Sequence, residues 1–205
     1  MPKQIIALIT IIILFTVYNQ FGSEKEYGPG VSLKTIPFQK KVSMDPFLFK
    51  DYQVTPKAQY IIEAKILRKE RYYRDASSEL SPVDFALGWN RMSDERNLEQ
   101  LSISQGSRWY TYRWNTELIG ISKSIIAKES ANTHIIPAND KIEDIALDIK
   151  AGTMVHMEGY LVYIQGRNNF KWNSSLTRND TGGGACEVFF VTGIREIVPT
   201  SEQLQ

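Results

Sequence analysis

The residues able to do chemistry crowd into one stretch, Trp172 to Glu187, which holds the only cysteine of the chain, Cys186. A thiolate is a strong nucleophile once a neighbour takes its proton. Gly182, Gly183 and Gly184 precede it, so the backbone there can adopt positive φ angles and turn amide groups into a shared concavity, as an oxyanion hole requires. His134 would serve as base, and Asp180 or Glu187 would orient its ring, which supplies the residues of a Cys-His-acid hydrolase or acyltransferase. The catalytic candidates are therefore Cys186, His134 and Asp180. A cysteine beside a strand also serves as a small buried hydrophobe, and composition alone does not show proximity.

The same loop offers a binding surface. Arg178 and Asp180 stand two apart, spaced to brace the loop as an ion pair or to clamp a carboxylate or phosphate. Ser174, Ser175 and Glu187 complete the candidate binding set. Two histidines and one cysteine fall short of an ordinary structural zinc site. With no HExxH, phosphate-binding glycine loop or carboxylate cluster either, neither metal nor cofactor is expected.

The elements around this loop read mainly as strands. Tyr60, Ile62, Ala64 and Ile66 alternate, as do Val155, Met157, Gly159, Leu161 and Tyr163. Further strands are expected over Leu101 to Trp114, Phe170 to Leu176 and Val188 to Val198. Ser81-Pro82-Val83-Asp84 reads as a capped start of a short helix ending at Gly88, and Ser93-Asp94-Glu95 as another. Asp140 to Ile149 places Ile142, Ile145, Ala146 and Ile149 on one helical face, with Asp140 as cap. The expected fold is mainly β (α+β): a partly open barrel of five or six strands, OB- or SH3-like, with two or three short helices inserted.

At the amino terminus, Ile5 to Val17 carries no charge, Lys3 lies on its short side, and residues 4–21 are long enough to span a bilayer. No small-x-small cleavage site follows, so the expectation is an uncleaved single-pass anchor in an inner membrane. The basic end stays inside and sends the domain to the periplasm. Residues 1–21 are thus read as anchor, 22–56 as a Pro- and Gly-containing tether, 57–198 as a β-rich domain and 199–205 as a polar tail. A formal net charge of +1 gives no pull toward nucleic acid. Arg108 to Trp114, rich in aromatics, would need a basic groove beside Tyr110 and Trp114 to act as an OB-type nucleic-acid binder.

Several runs together resemble a family of bacterial proteins that carry an amino-terminal membrane segment and have no assigned activity. They are Ser81-Pro82-Val83-Asp84 with Leu87-Gly88-Trp89 and Met92-Ser93-Asp94, Asn132-Thr133-His134-Ile135-Ile136-Pro137-Ala138, Gly159-Tyr160-Leu161-Val162, and Ser174-Ser175-Leu176-Thr177-Arg178 through Asp180-Thr181-Gly182 to Gly184-Ala185-Cys186-Glu187. The likeness implies bacterial origin and export, and it gives no residue a catalytic role. From sequence, the leading expectation is an envelope-anchored binding or assembly module whose partner is an envelope protein or small ligand. A cysteine-dependent enzyme acting on envelope material is the alternative.

Overall fold

In the computed structural model, residues 5, 8–12, 24–114, 117, 120–177 and 185–199 are described. The chain is mainly β. Its strands are β1 (Phe38–Lys41), β2 (Phe47–Phe49), β3 (Tyr52–Arg71), β4 (Val83–Gly88), β5 (Ser102–Gly106), β6 (Trp109–Arg113), β7 (Ser130–Pro137), β8 (Met154–Gln165), β9 (Lys171–Asn173) and β10 (Glu187–Glu196). Short helices α1 (Glu95–Leu98), α2 (Lys123–Lys128) and α3 (Asp140–Asp148) are inserted between them.

One sheet runs β1-β3-β4-β7-β10-β8-β9, and β3 also pairs with β8, so β3, β4, β7, β10 and β8 form a ring. β7 and β10 are parallel, and the other ring neighbours are antiparallel. The long β3 can serve two partners because it is bulged twice, at Pro56/Ala58 against β8 and at Ile66/Arg68 against β4. The first bulge also accommodates Pro56, which has no N–H for a regular ladder. Inside the ring Tyr60, Ile62, Phe85, Leu87, Ile135, Met157, Leu161 and Phe189 pack with Ile142 and Ala146 of α3. Burying one such side chain contributes roughly 2 kcal/mol.

Three expectations change. Val83 to Gly88 is a strand, not a helix, because Val83, Phe85 and Leu87 alternate into the core and all six residues are buried between β3 and β7. Helix α3 is capped by Asn139, whose side chain accepts from the Ile142 amide, one residue before the expected cap. Lys69 closes its other end, its Nζ donating to Leu147 O at 2.5 Å and Ile149 O at 2.8 Å. Burial and the Arg71 charge, partly offset by Asp148, push the Lys69 pKa down to about 8.

The third concerns the tether. From residue 24 to 56 the chain carries β1, β2 and the start of β3, and it is clamped to the domain. The Tyr27 and Gly28 amides donate to the Glu95 carboxylate, both at 2.7 Å, and Gly30 donates to Asp94. Val31 and Leu33 are buried with Met154, while Phe47 and Phe49 meet Phe190 edge-on. Acids that favour the start of α1 by charge thus also accept orphan amides from an irregular segment, a pairing that local pattern does not display. Residues 8–12 are helical, and among the described residues no helix is long and apolar enough to cross a membrane.

Candidate functional site

The register of β4 and β7 sets Asp84 directly opposite His134. Cross-strand partners project to the same face, so carboxylate and imidazole meet there. His134 Nδ1 lies 2.9 Å from Asp84 Oδ2, with the histidine side chain 4% exposed and the aspartate fully buried. The two atoms are off-axis for a well-aligned hydrogen bond, and neither has another such partner among the described residues. At 2.9 Å inside a buried site, a carboxylate still fixes the ring and favours its protonated form.

Cys186 enters from the strand on the other side. Glu187 pairs with Thr133 in the parallel β7–β10 ladder, which brings Cys186 level with Asn132, two residues from His134 on the same face. The thiol is half-buried and close enough to the His134 ring to help raise its pKa. With Nδ1 turned to Asp84, Nε2 is the ring atom left for sulfur. The Asn132 amide donates to Cys186 Sγ at 3.5 Å and to Arg108 O at 3.0 Å, while its Oδ1 accepts from Gln105 Nε2 at 2.7 Å.

Arg108 holds the buried acid. It sits in the turn joining β5 to β6 with φ of 65°, and that turn delivers its guanidinium beneath Asp84. Nη1 donates to Asp84 Oδ1 at 2.7 Å, Nη2 and Nε donate to Asp75, and Ser81 accepts further bonds. The guanidinium stacks 3.7 Å from the Tyr72 ring centre. Burial, with smaller contributions of opposite sign from neighbours, pushes the Tyr72 hydroxyl up to about 12. Trp172 of β9 lies against His134, ring centres 4.5 Å apart and planes tilted by 44°.

These neighbours set the protonation of His134. Burial drives its pKa down, but hydrogen bonding to Asp84 and Cys186 and the negative charge of both outweigh it, leaving the value above the ordinary 6.5. A raised folded pKa means that the protonated ring contributes stability fully below the unfolded value, and this is lost as pH rises through the folded one. The chain has two histidines, so their ring protons are readily told apart by NMR. Asp84→Asn is expected to move the His134 midpoint to lower pH. An unmoved His134 midpoint would show that Asp84 does not act on the ring.

Of the residues singled out from sequence, Cys186 and His134 come together. Arg178 and Asp180 lie outside the described residues. Ser174 and Ser175 are buried: Ser174 Oγ accepts from the Val188 amide at 3.0 Å, and Ser175 Oγ accepts from the Thr177 amide at 3.1 Å. The Ser175 amide also donates to Cys186 O at 2.9 Å, so the serines fasten the strand that presents the thiol. Glu187, next to Cys186 and only 1% exposed, points by strand alternation to the opposite face. The acid that meets the His134 ring among the described residues is Asp84. The alternation Val83, Phe85, Leu87 was the one signal that could have placed it on a strand face, whereas no sequence pattern ties Arg108, Asn132 or Trp172 to His134.

Tyr110 and Tyr112 pack against a separate apolar cluster with Leu67, Met92 and Ile126, so this part of the aromatic run faces protein. Among the described residues no group of three or more His, Cys, Asp or Glu side chains is placed to hold a metal ion. No family model, curated protein or solved structure matches this chain.

Proposed function

We propose that the protein is a cysteine-dependent hydrolase or acyltransferase, with Cys186 as nucleophile, His134 as base and Asp84 as the acid that orients it. The observation that carries this reading is the row Cys186–His134–Asp84, built across three adjacent strands and backed by Arg108. In an acylation step, Sγ gives its proton to His134 Nε2 and attacks an acyl carbonyl carbon. The leaving group departs with that proton, and water, activated by the same nitrogen, hydrolyses the thioester. The site sits on rigid strands, which suits a constellation needing close positioning.

The five-member ring fits the OB kind of partly open barrel better than an SH3-like one. A nucleic-acid role draws no support from the near-neutral charge or from the packed Tyr110 and Tyr112. The binding-module reading keeps one favourable observation, the near-complete burial of His134, which suits a structural hydrogen-bonded ring.

We place the enzyme at the outer face of an inner membrane, held there by residues 4–21. Ile5, Leu8, Ile9, Ile11 and Ile12 are 42–62% exposed, so these apolar side chains are not used by the domain core. Bacterial origin and envelope substrates follow from the sequence resemblance and from this placement. Full-length protein is expected to stay with membranes after an alkaline wash; release into the supernatant would remove the anchor from the reading.

The enzymatic reading is tested with a chromogenic acyl donor, p-nitrophenyl acetate. A burst of nitrophenol approaching one equivalent per chain is expected, followed by slower turnover. Release no faster than in buffer would contradict it.

A further inference from the structure

We propose that Asn132 supplies the oxyanion donor of this site, so that its substrates are acyl compounds, esters, thioesters or amides, with a carbonyl oxygen to stabilise; this rests on the enzymatic reading above. The amide cannot turn freely. Its Oδ1 accepts from Gln105, one N–H is taken by Arg108 O, and the other is aimed at Cys186 Sγ 3.5 Å away. Asn132 is 6% exposed, so water competes little for that donor.

The chemistry at sulfur gives that N–H its use. As Sγ bonds to the carbonyl carbon, the C=O π pair moves onto oxygen, and this new anion forms beside the sulfur that the Asn132 amide already faces. The proton lost by the thiol sits on His134 Nε2. Collapse of the intermediate returns the pair to the carbonyl, breaks the bond to the leaving group, and transfers the His134 proton to it. A fixed donor at the developing charge lowers the barrier because it needs no reorganisation when the charge appears. Disulfide exchange or alkylation at the same thiol creates no oxyanion and draws no benefit from the amide.

That difference is the test. Full-length wild-type protein and Asn132→Ala are compared in two reactions of the same thiol: acylation by p-nitrophenyl acetate and alkylation by iodoacetamide. Acylation is expected to fall by about 10²- to 10³-fold while alkylation changes by less than about threefold. Gln105→Leu, which frees the amide to rotate, is expected to lose acylation less severely, again with alkylation preserved, and it serves if Asn132→Ala fails to fold. Equal losses in both reactions would make Asn132 a residue that merely holds the thiol, and unchanged acylation would remove it from catalysis; either overturns the assignment alone. A wild-type thiol that alkylates but takes no acyl group would overturn both the enzymatic reading and this one.

Discussion

Replacing Cys186 with alanine is expected to abolish the nitrophenol burst and to cut turnover by roughly 10⁴-fold or more, down to the solvent rate. In the proposed reaction the sulfur is the atom that bonds to the acyl carbon. The fold should survive the change. Cys186 is only half-buried and gives up one long hydrogen bond from Asn132, so a shift of about 1 kcal/mol is the most expected. A variant that melts like wild type but releases no nitrophenol separates chemistry from folding. Full turnover without the thiol would remove Cys186 as the nucleophile.

Arg108→Ala is expected to cost the most stability, about 3–5 kcal/mol in urea unfolding, because it strips a fully buried carboxylate of its main counter-charge. Among the described residues, Asp84 would then keep only His134 as an ion-pair partner. Lysine at 108 should recover little, since a point charge cannot span Asp84, Asp75 and Ser81 as the planar guanidinium does. Adding Asp84→Asn to Arg108→Ala should destabilise less than the two single changes summed, because the charge that Arg108 compensates has then been removed. Additive losses would mean that Arg108 acts on stability through Asp75 and Tyr72 and not through Asp84.

Much of the β framework was legible in the sequence because alternation survives in β3 and β8, and because Val188 to Val191 of β10 is a short continuous apolar run, as a strand buried on both faces gives. Less legible was β4, whose Ser-Pro-Val-Asp opening imitates a helix cap, while burial on both faces blurs the period. The segment from 24 to 56 reads as a tether from its prolines and glycines, yet its amides find distant acceptors on Asp94 and Glu95. Such pairings span more than sixty positions and have no local signature.

At the site, Cys186 and His134 stood out by rarity: one cysteine, and one of two histidines. Asp84 and Arg108 did not, because aspartates and arginines are common and only strand register reveals which of them meet. Asn132 opens one of the runs that carry the bacterial resemblance, but nothing in that run gives its amide a role. Its meaning comes from Gln105 and Arg108, which arrive on the β5–β6 hairpin and fix the amide against the sulfur.

The most direct test is the covalent intermediate itself. Full-length protein treated with p-nitrophenyl acetate near neutral pH and quenched in acid should gain a single acetyl group, located on the peptide containing Cys186 and removed by hydroxylamine. Acetylation confined to lysines, or no addition at all while the thiol remains free to react with iodoacetamide, would contradict the account.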